Sequence, residues 1–479
     1  MNDILLMDAC GQLERLSSKR ISARELLTAA IAQAKTLNPG LNAVVARDTE
    51  RALRDAQAVD DRRARGEPLG ALAGLPMTVK DTLDVEGLPA SAGMRSLLGR
   101  SAEDALVVAR VRAADAIIWG KTNTPEAASD WQTYNALYGT TNNPWDTSLT
   151  PGGSSGGSAV AIATGMAALE IGADIGGSLR IPASFCGICA HKPSYGRIPM
   201  RGLVPPVGAQ AEMDLAVVGP MARSARDLQL ALPVMTGEAV GDVTTAETKQ
   251  LRAALWFDDR RFALDPGVRQ ALELFSRMLA GAGVHTRSVE SPVDVETLMS
   301  TYVVLLFSLM GASLTPRQRA LYEALRGPAK LARGLGADVL SGPDFILGYT
   351  ARHHEWLSAD ETRARLSSQM ATFFADFDVL LAPVSPTAAF AHDHRPLLRR
   401  RLACTDGRRL NYFKMWEWPA LATVCGLPAT VVPVGRTRAG LPVGIQIIGP
   451  AGGDAITLAV ARRIEETLGG FEPPPTAIA

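Results

Sequence analysis

Cysteine is scarce in this sequence. Cys10, Cys186, Cys189, Cys404 and Cys425 are the whole set, too few in so long a chain for a disulfide framework. Histidine is nearly as rare, with six residues (His191, His285, His353, His354, His392, His394), none in a setting that marks it as a general base. Neither sign of charge is in excess: 49 Lys plus Arg balance 49 Asp plus Glu. No global field therefore draws in nucleic acid or anionic lipid, and the expected partner is a small molecule. No run of about 20 apolar residues occurs, so no membrane span is expected. The opening MNDILLMDACGQLERL lacks a basic n-region, and its apolar run breaks at Asp8. It reads as neither signal peptide nor anchor, and the cytoplasm is the expected compartment. Internal repeats and long polar linkers are missing too.

What is present is the balance of a soluble globular protein, 47% apolar and 20% charged. The 479 residues suffice to bury a core without metal or disulfide staples. Ser22-Ala-Arg-Glu25 forms a capping box, with Ile21 and Leu26 placed as a hydrophobic staple. Leu26, Leu27, Ala30, Ile31 and Ala34 then follow at helical spacing until Pro39-Gly40, where the helix should stop. A charged second helix is expected over about Thr49 to Arg65, so residues 1–68 read as a helical arm. From Leu72 onward short apolar runs alternate with helical stretches, which is the α/β signature. Val268 to Gly283 reads as an amphipathic helix leading into the strand VHTRSVE. Residues 294–375 read as mostly helical, a variable or lid region. FDVLLAPVSP reads as a buried strand, and PATVVPVG and LPVGIQIIGP as a terminal hairpin.

The stretch PGGSSGGSAVA, Pro151 to Ala161, allows three readings. A flexible linker needs polar flanks, but this one runs into the apolar AVAIATGMAALEIG. A phosphate loop needs a lysine where Ser158 stands. A nucleophile elbow is matched twice, at Gly152-x-Ser154-x-Gly156 and Gly153-x-Ser155-x-Gly157, yet no apolar strand precedes it. An α/β-hydrolase with a Ser-His-Asp triad remains an alternative of lower rank. A rigid, backbone-rich surface that lets a substrate approach closely fits better. A second such surface follows in ADIGGSLRIPASFCG, where Asp174 to Gly177 turn and Ser178 opens the next helix. Taken alone it reads first as a turn with an N-cap and second as converging N–H groups of Ile175, Gly176, Gly177 and Ser178 for an oxyanion. In GLPMTVKDTLDVEG, Lys80 ends an apolar strand. A lone lysine there is commonly solvated, but a buried one can be a neutral base. Deprotonating a free lysine at pH 7 costs about 4.6 kcal/mol, and deep burial lowers a lysine pKa by up to about 3–5, most or all of that cost.

Together these pieces resemble the amidase signature family of serine hydrolases. The core of the resemblance is GGSSGGSAVAIATGMAALEIGADIGGSLRIP, Gly152 to Pro182. GLPMTVKDTLDVEG, GKTNTPE, HKPSYGRIP, DLAVVGPMARSARDL, FDVLLAPVSPT, GLPATVVPVG and LPVGIQIIGP also resemble it, and the likeness thins between about 235 and 375. The resemblance implies one α/β domain, 1–479, with a mixed central sheet covered by helices on both faces. It implies a Ser–cis-Ser–Lys triad with Ser178 as nucleophile, Ser154 as bridge and Lys80 as base. Ile175, Gly176, Gly177 and Ser178 would form the oxyanion hole, with Ser155, Asp174 and Arg180 in support. Many members carry Thr where Ile175 stands, a change that leaves the backbone donor in place. Ile175 and FCGIC resemble the fatty-acid-amide-hydrolase side of the family.

The implied activity is hydrolysis of a carboxamide to a carboxylate plus ammonia or amine, with no cofactor and no metal; a homodimer is a family habit. The rival is the glutamine-amidase component of a tRNA-dependent amidotransferase, which shares this core and takes glutamine as amide donor. HKPSYGRIP and MWEWPALATVCGLP resemble free-standing amidases more. Cys186-x-x-Cys189 lacks a second pair and has apolar neighbours, so it reads as buried thiols. Trp131, Tyr134, Trp416 and Trp418 are candidates for a pocket lining as well as for core or rim, and His394 to Arg401 reads as a solvated basic loop.

Overall fold

The short apolar runs become the strands of one sheet. The computed structural model describes residues 2–100, 102–241, 251–282, 284–336 and 340–478. Eleven strands form the central sheet: β1 Val44–Arg47, β2 Pro76–Lys80, β3 Ile117–Thr122, β4 Leu169–Asp174, β5 Cys189–Lys192, β6 Val217–Ala222, β7 Ala253–Leu255, β8 Thr286–Ser288, β9 Val379–Pro383, β10 Ala429–Arg436 and β11 Pro442–Ile448. Their spatial order is β1-β3-β2-β4-β6-β5-β10-β11-β9-β7-β8. Neighbours β3, β2 and β4 are mutually parallel, as are β9, β7 and β8. The intervening pairs from β4 to β9 are antiparallel. The sheet is therefore mixed. Every residue of β2, β3, β6, β9 and β11 is buried, which requires cover on both faces. Helices provide that cover: Gly156–Ala163, Arg180–Cys186, Ala225–Thr236 and Asp454–Leu468 all pack on the strands. No helix among the described residues is long and apolar enough to cross a membrane.

The first long helix starts as its sequence dictates. Glu25 N–H donates to Ser22 Oγ at 3.1 Å, Ser22 N–H donates to Glu25 Oε2 at 2.9 Å, and the staple residues Ile21 and Leu26 are buried. Its end differs from expectation. The helix Ala23–Leu41 continues through Pro39, which lies in its last turn. It stops at Asn42, which takes the left-handed conformation (φ 51°) and donates its N–H to Asn38 O at 2.7 Å. The N-terminal region is also not wholly helical. After the helix, Asn38 Oδ1 accepts from the N–H groups of both Ala43 and Val44, and the chain enters β1 at the edge of the main sheet. The charged helix Thr49–Ala64 then buries Ala52, Ala56 and Val59.

Val268 to Gly283 was expected as a helix; Pro266–Gly281 is helical, and Gly283 itself lies outside the described residues. In 294–375 the helices are Val295–Gly311, Pro316–Gly334, Gly342–Tyr349 and His353–Asp376, and 337–339 lie outside the described residues. The hairpin β10–β11 forms as its sequence predicts, and it lies at the middle of the sheet.

Replacing the N-cap Ser22 by Ala should lower stability by about 1 kcal/mol. Urea titration should show an earlier midpoint at an unchanged slope; an unshifted midpoint would mean that the cap contributes nothing.

Candidate active site

Three parallel strands deliver their carboxyl ends to one place, where open α/β sheets leave room for a ligand. β2 ends at Lys80, β3 at Thr122 and β4 at Asp174. The Gly-Ser tract crosses this end as a loop and enters the helix Gly156–Ala163, in which every residue is buried. Its glycines are required by close approach. A Cβ on Gly153 would lie 2.5 Å from Asp130 O, and one on Gly157 would lie 2.5 Å from Asn123 N. Thr133 clamps the loop from outside, donating to Gly152 O at 2.9 Å and accepting from Gly156 N–H at 3.1 Å. The Gly153–Ser154 peptide is cis.

Lys80 Nζ and Ser154 Oγ are hydrogen-bonded at 2.7 Å, and Nζ also lies 3.4 Å from Ala173 O. Ser155 N–H donates to Ser178 O at 3.2 Å, so the two glycine-rich turns lie side by side. Ser155 Oγ is 3.4 Å from Ala173 O. Lys80, Ser154 and Ser155 are at most 1% exposed, whereas Ser178 keeps 6%. Of the four, Ser178 is the most open to an entering molecule. Burial lowers the Lys80 pKa to about 7, against the opposing pull of Asp174 and Glu170. A large neutral fraction of the lysine is thus present near pH 7 despite two carboxylates nearby.

Asp174 is buried beneath the second turn. Burial alone would raise its pKa, but the Arg180 guanidinium and the Leu179 N–H outweigh that and hold it at about 2. Arg180 binds Asp174 through Nε (3.1 Å) and Nη2 (2.9 Å), and also donates to Pro419 O, Gln446 Oε1 and Thr423 Oγ1. Asp174 also accepts from Gly177 N–H at 2.9 Å. This corrects the sequence expectation for Gly177. Its N–H is taken by a carboxylate, so the donors left from that set are Ile175, Gly176 and Ser178.

The sequence pattern missed a buried carboxylate. Glu170, the second residue of β4, accepts from Thr78, from Thr122 Oγ1 at 2.8 Å and from Ser158 Oγ at 3.0 Å. Burial raises its pKa to about 7, although those three hydroxyls oppose the rise. The signal was a lone acidic residue inside the apolar run AALEIG. Tyr302, whose hydroxyl donates to Ile175 O at 2.7 Å, gave no signal, because it lies where the resemblance thins.

The aromatic candidates divide. Trp131 Nε1 donates to Gly176 O at 3.0 Å, and Trp416 packs edge-on against Trp131 with ring centroids 4.8 Å apart. Trp418 is core, packed among Trp256 and Phe262. Tyr134 stacks on His394. The expected solvated basic loop ends near a buried residue: Arg400 is 2% exposed and bonds to Asp130 Oδ2 at 2.5 Å and the Tyr134 hydroxyl at 2.6 Å. The Ser-His-Asp alternative fails at the buried histidine. His191 uses its two ring nitrogens on Thr430 (2.8 Å) and Asp454 (3.1 Å), and the residues just before the Gly-Ser tract form no strand. Cys186 and Cys189 are buried free thiols, and no group of three or more His, Cys, Asp or Glu among the described residues could hold a metal ion.

The amidase family model matches residues 25–458. The glutamyl-tRNA(Gln) amidotransferase A-subunit of Anaeromyxobacter sp. (strain K) is 32% identical, covering 96% of each chain. The protein of the same name from Chloroflexus aurantiacus (strain ATCC 29366 / DSM 635 / J-10-fl) is 33% identical, covering 93% of each. A solved amidase structure is 30% identical and superposes with a TM-score of 0.79, covering 97% of this chain and 100% of the other. The chain belongs to the amidase signature family, whose enzymes act on amide C–N bonds.

Proposed function

We propose that this chain hydrolyses a carboxamide through an acyl-enzyme on Ser178, with Ser154 as the bridging hydroxyl and Lys80 as the base. The single observation that carries the reading is a lysine with no exposure, 2.7 Å from Ser154 Oγ, whose burial brings its pKa to about 7. At pH 7 about half of such lysines are neutral, against about one in 2,500 at the reference pKa.

The chemistry then needs no histidine. Lys80 accepts the Ser154 proton while Ser154 accepts that of Ser178, and Ser178 Oγ forms a bond to the amide carbon. The carbonyl electron pair moves onto oxygen, which faces the N–H groups of Ile175, Gly176 and Ser178. The proton returns through Ser154 to the amide nitrogen, the C–N bond breaks, and ammonia or amine leaves. Water then repeats the sequence on the ester, releasing the carboxylate. Asp174 and Arg180 support the turn that carries these donors, and Ser155 ties it to the bridging loop.

A second reading is favoured by the shared name of the matched relatives, the glutamyl-tRNA(Gln) amidotransferase A-subunit, which bears on it more directly than on a free-standing amidase. In that case the same serine attacks glutamine, and the ammonia is used by a partner. The purified chain assayed alone on a panel of simple amides plus glutamine separates the two. Ammonia or amine from simple amides supports the free-standing enzyme. Turnover of glutamine alone, increased by added partner proteins, supports the amidotransferase reading.

Under either reading Ser178→Ala should lower kcat by about 10⁴-fold or more and abolish labelling by a fluorophosphonate; full activity in that variant would remove Ser178 from its role. Lys80→Ala should lose about 10²–10⁴-fold with the thermal midpoint retained. The base is the neutral amine, so kcat/KM should fall about tenfold per pH unit below about pH 7 and level off above it. A profile already flat from pH 5 upward would exclude Lys80 as the titrating base.

A further inference from the structure

The proposed oxyanion turn is held by aromatic side chains from three distant segments. Tyr302, in the helix Val295–Gly311, donates its hydroxyl to Ile175 O at 2.7 Å. Trp131 donates its indole N–H to Gly176 O at 3.0 Å. Trp416 closes the space between them, with ring centroids 4.8 Å from Trp131 and 6.2 Å from Tyr302. A Cβ added to Gly176 would lie 2.8 Å from Trp416 Nε1 and 3.1 Å from the Tyr302 hydroxyl, so the turn is packed tightly on this cradle.

Peptide planarity converts these contacts into an orientation. In a trans peptide the C=O and N–H point in opposite directions. The Gly176–Gly177 peptide is fixed at both ends, its oxygen by Trp131 and its N–H by Asp174. The Ile175–Gly176 peptide is fixed only at its oxygen, by Tyr302. Its N–H, that of Gly176, has no acceptor among the described residues. Holding one end of a rigid plane fixes the direction of the other. Burial pushes the Tyr302 hydroxyl well above its ordinary pKa, so it stays a donor throughout the neutral range.

We propose that Tyr302 is a positioning residue for the reaction: by binding Ile175 O it aims the Gly176 N–H at the oxygen that becomes negative in the tetrahedral intermediate, and Trp131 fixes the adjoining plane. This rests on the amide-hydrolysis reading above. It places a contribution to transition-state binding on the helix where the family resemblance thins, so that helix is coupled to the chemistry and does more than cover the site.

Tyr302→Phe retains the ring and removes only the donor. With the best substrate of the amide panel, kcat should fall about 10-fold, less than the about 10²–10³ of deleting an oxyanion donor outright, while KM changes less than about twofold. An aryl trifluoromethyl ketone provides the second measurement. Ser178 Oγ bonds to its carbonyl carbon, the π pair moves onto oxygen, and the hydroxyl proton passes through Ser154 to Lys80. The adduct thus carries the oxyanion without a leaving group. Its inhibition constant should weaken by the same factor as kcat/KM. Trp131→Phe should act in the same direction, and serves as the test if Tyr302→Phe does not fold. Unchanged kcat with unchanged ketone affinity, or a rise in KM alone, would overturn the role of Tyr302. Wild-type protein inactive on every amide and unlabelled at Ser178 would instead overturn the hydrolysis reading beneath it.

Discussion

An amine without water around it is the constraint on which the site depends. Lys80 ends a strand whose residues are all buried, and the cost of charging it there lowers its pKa to about 7. Asp174 and Glu170 would together favour the ammonium form, so their charges have to be contained. Arg180 neutralises Asp174 at close range, and Glu170 has its own pKa raised to about 7 by burial. Three carboxyl-terminal strand ends can then meet in one dry place without fixing a proton on the lysine.

The rest of the architecture supplies rigidity to two glycine-rich turns. Neither turn could hold its shape by local propensity, since glycine gives the backbone the most freedom to lose. Thr133 clamps the first turn by its backbone. The second is held from below by the Asp174–Arg180 pair, whose further bonds reach β11 and the helix Glu417–Val424, and from above by Trp131 and Tyr302. Residues far apart in the chain are therefore needed for one short turn, and the cost of replacing any of them depends on the others.

The same arrangement separates a shared core from a variable surround. The two glycine-rich turns and the strand ends at Lys80, Thr122 and Asp174 lie within the matched amidase region, and relatives named as amidotransferase components and as amidase match it about equally well. The proposed trio of Lys80, Ser154 and Ser178 would serve both readings, because acyl transfer makes the same demands in each. Distinction between the two readings has to come from side chains outside that trio.

Much was readable from local pattern. The capping box at Ser22 and Glu25 rests on contacts three residues apart, and the hairpin β10–β11 on two alternating runs and a short turn. Both are local, so the sequence alone determined them. Lys80, Ser154 and Ser178, the proposed triad, were singled out for another reason: the proposed chemistry calls for their residue types, and tight turns call for the glycines beside them. The remainder was decided by tertiary contact. The sheet order put the terminal hairpin at the centre and drew Val44–Arg47 out of an expected helical arm. Asp130 drew Arg400 out of an expected solvated loop, and a tyrosine from helix 295–311 reached Ile175. A hydrogen bond between residues more than a hundred positions apart leaves no periodicity in the sequence, since its partners share neither a face nor a turn; only the packed chain brings them together.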